Sequence, residues 1–162
     1  INFNAARTTS GGETVNMGVG IHIGQLVLGT IGRETRMETT VISDTVNASA
    51  RLESLNKIYG TNVLISGVVR NELSQTTQKM CRLIDRTQVK GKSEFLDVYE
   101  VFSTEDKEVL EAKASSIQTL EKVVNHFLDG DKKMAVLEFA KIKNLNTLDP
   151  VISFWEKRLD LG

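Results

Sequence analysis

Asn47 and Arg51, in the segment SDTVNASARLESLNKIYG (residues 43–60), lie four positions apart and so share one face if that segment is helical. An amide both donates and accepts, and a guanidinium is a planar, permanently charged fork of donors matched to carboxylate or phosphate oxygens. The pair therefore has the chemistry to orient a polar ligand and to meet negative charge on it. An arginine on a helix surface can equally pair with a nearby acid, here Glu34 or Glu38. The spacing alone leaves both readings open.

The segment that presents them has the pattern of a helix. Ala48, Leu52, Leu55 and Tyr59 fall on a single apolar stripe at helical period, beside the face that holds Asn47 and Arg51. Ser43 is placed to cap the start, and Gly60 stands where such a helix would end. Around it, VNMGVGIHI, QLVLGTI, TTVIS, NVLIS, KMCRLIDRTQV and EFLDVYEVF are β-rich runs punctuated by glycine or charge, with a short helix expected from about Ser66.

From Thr104 onward the pattern is helical throughout. Leu110, Ala114, Ile117, Leu120, Val124 and Phe127 form one expected stripe, closed by Gly130. A second helix is predicted from about Asp131 to Lys143. A third begins where Asp149 precedes Pro150, with Ile152, Trp155 and Leu159 along its face. The chain thus reads as an α+β portion over residues 1–102 and an all-helical tail over 103–162.

Composition excludes several function classes. The 162 residues are 40% hydrophobic and 25% charged, which suits one globular domain or a domain with an appendage. A formal net charge of −1 gives no electrostatic case for a nucleic-acid polymer or an anionic membrane. A single cysteine, Cys81, makes no internal disulfide and no metal spacing, and reads as a buried thiol in a reducing compartment. No membrane segment or signal peptide is expected. The chain opens at Ile1 rather than at methionine, which reads as an excised piece of something longer.

Several motifs fail on inspection. GVGIHIG starts like a dinucleotide-binding turn, but position 23 is Ile and the third glycine comes one residue late. VKGKS ends like a phosphate loop, yet its leading glycine would fall at Arg86. His22 reads as a satisfied structural histidine, and His126 as a polar-face residue of the tail. No catalytic triad or zinc site is written in the sequence.

What remains, GVGIHIGQLVLGTIG, then RMETTVISDTVNASARLESL, then QVKGK, resembles the second half of a class III nucleotidyl cyclase domain, most like bacterial adenylate cyclases. The resemblance covers roughly residues 15–102, in order and at family-like spacing. Ser43 departs from the glycine most members have at that turn; serine is small and a good helix cap. The fold this implies is α+β, the C-terminal portion of a ferredoxin-like cyclase domain that dimerises head to tail with active sites at the interface.

The resemblance also implies roles. Asn47 would orient the ribose and Arg51 would stabilise charge on the triphosphate as the ring closes, while Thr40 and the backbone of Val41 would read the adenine edge. Lys90 matches the lysine that meets the terminal phosphates, with Lys92 a solvated neighbour. The substrate implied is ATP, converted to cyclic AMP and pyrophosphate by a cytoplasmic homodimer. The two metal ions, magnesium or manganese, are expected to sit on aspartates upstream of Ile1. Asp44, Asp85 and Asp97 are assigned to no metal. An isolated piece should then be inactive, and its open sheet edge should recruit a second copy, unless the tail helices, with Trp155, Leu120 and Phe127 to bury, fold back over the exposed face instead. The alternatives are a guanylate cyclase, or a cyclase-like regulatory or dimerisation module without catalysis.

Overall fold

A computed structural model describes residues 7–15, 17–33, 36–88, 95–102, 106–145 and 148–161, with backbone only for most of 30–42. Strands β1 (Val19–Ile21), β4 (Val63–Ser66), β6 (Phe95–Val101) and β5 (Cys81–Gln88) form a mixed sheet in that order. β1 runs parallel to β4, and the other two pairings are antiparallel. β2 (Val27–Arg33) and β3 (Arg36–Ile42) make a separate antiparallel hairpin. With the helices described next, the architecture is α+β.

Helix α1 (Asp44–Tyr59) starts where expected, because the Ser43 hydroxyl accepts the Thr45 N–H at 3.0 Å. It ends at Gly60, whose φ of 67° is the left-handed conformation that a side chain would resist. Its core face is Ala48, Leu52, Tyr59 and one polar residue, Asn56. The Asn56 amide donates to the Val19 carbonyl at 3.1 Å and accepts from the Thr61 hydroxyl at 3.0 Å, tying the helix to β1. The glycines of GVGIHIG serve this packing: a Cβ on Gly20 would lie 2.3 Å from the Glu53 nitrogen and 2.4 Å from the Ser49 carbonyl of α1. Close approach of strand to helix, and no phosphate cradle, is their explanation.

Short helices α2 (Gly67–Glu72) and α3 (Gln75–Gln78) follow, each capped by a serine hydroxyl. Ile65, Val69 and Cys81 make a small apolar cluster beneath α2, so the lone thiol is buried, as expected from its type. His22 is satisfied by the Ser66 hydroxyl at 2.9 Å, and burial lowers its pKa.

The tail is three helices: α4 (Lys107–Leu128), α5 (Lys132–Phe139) and α6 (Pro150–Arg158). α5 is shorter than the expected span to Lys143; from Ala140 the chain continues as turns. Asp149 and Pro150 start α6 as anticipated. One apolar core joins tail and sheet, with Leu52, Tyr59, Leu83 and Val98 packed in the same cluster as Leu120, Phe139, Ile142 and Trp155. No helix among the described residues is long and apolar enough to cross a membrane.

The α4 stripe corrects the expectation. Ala114 is exposed, whereas Lys113 and Ser116 are buried. The reason is a buried ionic network. Arg82 on β5 is fully buried, its Nε donating at 2.7 Å to Glu100, the residue opposite it on β6. Its two terminal nitrogens grip the Asp149 carboxylate, at 2.8 and 2.6 Å. Lys113 pairs with the other oxygen of Glu100 at 2.7 Å, and the Ser116 hydroxyl faces Arg82 at 3.4 Å. Two cations and two anions compensate one another, which is the condition for burying charge at all.

A second anchor lies two positions further along β5. The β5–β6 register slips between Leu83 and Asp85, leaving Ile84 at an irregularity on an edge strand. Its carbonyl accepts the indole N–H of Trp155 at 2.8 Å. Asp149→Ala should therefore destabilise this chain by about 3–5 kcal/mol, because it leaves Arg82 half-paired in the interior and removes the α6 cap. Lys132→Ala, at an ion pair whose side chains are 51% and 81% exposed, should cost less than about 1 kcal/mol. Urea unfolding of the two variants checks the contrast, and equal midpoints would refute it.

Candidate active site

β3 leads through Ser43 directly into α1, so Thr40, Val41, Asn47 and Arg51 lie along one strand–turn–helix segment. The backbones of Thr40 and Val41 sit in the β2–β3 ladder opposite Gly29 and Leu28; their side chains lie outside the described residues. The turn is braced by Gln25, whose carbonyl accepts from the hydroxyls of both Ser43 (2.7 Å) and Thr45 (2.8 Å). Serine at position 43 thus contributes both a helix cap and a tether that glycine would not supply. Lys90 and Lys92 fall outside the described residues.

Asn47 is exposed on the first turns of α1, and its side-chain amide makes no hydrogen bond among the described residues. Arg51, one turn later, is half-buried. Its Nη2 donates to the Thr87 hydroxyl on β5 at 2.7 Å. Among the described residues Arg51 makes no ion pair, in contrast with Arg82, Arg86 and Arg158, each of which meets a carboxylate. Glu34 and the side chain of Glu38, the acids weighed as its partners, lie outside the described residues. The site therefore offers a guanidinium oriented by a neutral hydroxyl, with its remaining donors uncommitted to a described carboxylate.

The same helix makes a second polar contact with β5. The Tyr59 hydroxyl donates to Asp85 at 2.6 Å, and Arg158 of α6 reaches the same carboxylate oxygen at 2.6 Å. The Arg158 guanidinium lies over the rings of Phe127 and Trp155, 4.6 and 4.9 Å from their centroids. Burial first, then the Asp85 charge, pushes the Tyr59 phenol far above its ordinary range. Thr87 and Asp85 carry no sequence signal that marks them as helix partners; only the fold brings them to α1.

Asp85 and Asp97 are both engaged by other groups. Asp85 is held by Tyr59, Arg158 and the Arg86 N–H, and Asp97 pairs with Arg86. No group of three or more His, Cys, Asp or Glu side chains converges among the described residues. A cleft of about 710 Å³ is lined by Met17, Glu53, Lys57 and their neighbours and by none of the candidate residues.

A family model described as the adenylate and guanylate cyclase catalytic domain matches residues 2–130, and so runs through α4. A protein named adenylate cyclase from Anabaena cylindrica is 43% identical over 104 residues, covering 61% of this chain and 21% of that protein. Adenylate cyclase 1 of Rhizobium meliloti is 40% identical over 99 residues, covering 61% of this chain and 15% of its own length. The chain thus spans about a fifth or less of these relatives. A solved bacterial light-regulated adenylyl cyclase aligns with 64% of this chain and 28% of its own, at 23% identity and a TM-score of 0.46.

Tyr59 gives the α1–β5 contact a pH signature. Burial raises Tyr99 as well as Tyr59, so both folded values lie above the ordinary unfolded value near ~10. A raised folded pKa contributes stability that is complete below the unfolded value and is lost as pH rises past it. Tyrosinate absorbance of the folded chain should stay flat past pH ~10 and rise together with loss of circular dichroism. Ionisation at ordinary tyrosine pH in a still-folded chain would contradict the buried Tyr59–Asp85 contact.

Proposed function

The chain belongs to the adenylate and guanylate cyclase catalytic domain family, and from that premise we propose that it is the C-terminal part of an adenylate cyclase domain converting ATP to 3′,5′-cyclic AMP and pyrophosphate. The observation that carries the reading is Arg51: a guanidinium aimed by Thr87 and paired with no described carboxylate. In the cyclisation the ribose 3′-hydroxyl attacks the α-phosphorus, its proton is lost, and the bond to the pyrophosphate oxygen breaks. Charge grows on the phosphate oxygens in that step, and a positioned fork stabilises it more than it stabilises bound ATP.

Within this reading Asn47 holds the ribose so that the 3′-oxygen stands in line. Thr40 and the Val41 backbone read the adenine edge, where a hydroxyl can both donate and accept. Lys90 meets the terminal phosphates. Magnesium or manganese, when bound, supplies activation of the attacking oxygen. We assign its ligands to aspartates upstream of Ile1, so that the isolated piece is inactive. The reading also places the domain in the cytoplasm as a homodimer with active sites at its interface.

Two measurements on the intact protein that contains this chain test the proposal. Arg51→Ala should lower kcat by roughly two orders of magnitude or more with a smaller change in KM for ATP, as expected for a contact strongest in the transition state. Undiminished turnover would overturn the assignment. The wild-type protein should prefer ATP to GTP, and Thr40→Cys should narrow that preference. Equal cyclisation of both nucleotides by the wild type would mean that position 40 does not select adenine, and would favour a guanylate cyclase or a promiscuous enzyme.

A further inference from the structure

We infer that Thr87 is a positioning residue for catalysis: its hydroxyl fixes the rotamer of Arg51 in the orientation that meets the reacting phosphate. The inference rests on the role proposed for Arg51 and adds a residue to it. An arginine side chain has many rotamers, and its fork is useful only if aimed before the charge develops. On α1 nothing else described does this. The Arg51 Nη2–Thr87 Oγ1 hydrogen bond, 2.7 Å long, is the one polar contact of the guanidinium among the described residues.

The chemistry of the partner matters as much as its place. A carboxylate at position 87 would hold the fork too, but would neutralise it and compete with phosphate for its donors. The Thr87 hydroxyl accepts one N–H of Arg51, carries no charge, and leaves the remaining donors for a ligand. Thr87 is itself well placed to serve as a fixed point. It is half-buried in β5 opposite Leu96, and it stands two residues after Asp85, which Tyr59 of α1 and Arg158 of α6 both hold at 2.6 Å. Side chains two apart on a strand share a face, so Asp85 and Thr87 present their contacts toward α1 together.

Steady-state kinetics on the intact protein with Thr87→Val, Thr87→Ser and Arg51→Ala, singly and with Thr87→Val combined with Arg51→Ala, test this. Valine keeps the β-branched shape of the strand residue and removes only the acceptor. Losing one such hydrogen bond should lower kcat roughly three- to tenfold, with KM for ATP changed less. Serine, which restores the hydroxyl, should bring kcat back to near the wild-type value. In the Arg51→Ala background Thr87→Val should have no further effect, because its target is gone. Thermal midpoints of the single variants separate positioning from stability, since a purely structural role would shift the midpoint and leave the kcat-to-KM pattern unchanged.

Unchanged kcat in Thr87→Val, failure of serine to rescue, or a full additional loss in the Arg51→Ala background would each overturn the inference while leaving the proposed role of Arg51 intact. Undiminished turnover in Arg51→Ala would overturn both together.

Discussion

Arg82 is the constraint on which the rest of the structure depends. A fully buried guanidinium is tolerable only when every face of it is met, and here the partners come from three separate parts of the chain: Glu100 on β6, Ser116 on α4 and Asp149 at the start of α6. A polar network of this kind has few satisfactory arrangements, because a displaced partner leaves an uncompensated charge in a low dielectric. Apolar packing of α4 and α6 on the sheet tolerates sliding; this network does not. It fixes where the tail helices stand, and through the Trp155 contact with the Ile84 carbonyl and the Arg158 contact with Asp85 it fixes the outer half of β5.

That half of β5 carries the consequence to α1. Asp85 receives Tyr59 and Thr87 receives Arg51, so the helix bearing the candidate residues is pinned to a strand that is itself pinned from behind. The buried and half-buried cations differ in what meets them, and Arg70 lies over the Tyr99 ring at 5.1 Å. Arg82, Arg86, Arg158 and Lys113 are matched by carboxylates and contribute to architecture, while Arg51 is met by a neutral hydroxyl. On the role proposed for Arg51, this division separates stability from function at the level of single ion pairs. On the proposed reading the near-zero net charge of the chain is no obstacle, since attraction for a polyanion would come from a local fork and need no general basic surface.

Elements were legible in the sequence wherever local chemistry specifies them. Ser43 and Gly60 bracketed α1, Asp149 and Pro150 opened α6, and the Val- and Ile-rich runs marked strands, because caps, turns and periodicity act over a few residues. The α4 face was misjudged at Ala114 for the opposite reason. Lys113 and Ser116 look like solvent residues to any apolar count, and become core residues only because Arg82, 31 and 34 positions earlier, and Glu100 need partners. The same limit applies at the site. The Asn47–Arg51 spacing was visible, but Thr87, 36 positions from Arg51, was not, and no periodicity joins a helix arginine to a strand threonine across such a gap.

The glycines show how one residue type can mislead a motif search and still be explained by contact. GVGIHIG has the density of a phosphate loop, yet Gly20 faces α1 at a distance no Cβ would permit. The requirement is steric, and on the role proposed for Arg51 its result is functional all the same. By letting β1 lie against α1 near Ser49 and Glu53, the glycine holds the middle of the helix on the sheet, while Asn56 secures the next turn to Val19. Arg51 lies between Ser49 and Glu53 in sequence and can direct its fork toward β5 only if the helix axis stays where those contacts put it. The glycine strand, the serine-capped turn and the buried ionic network act on one helix from three sides, and the aim of a single guanidinium is what they jointly determine.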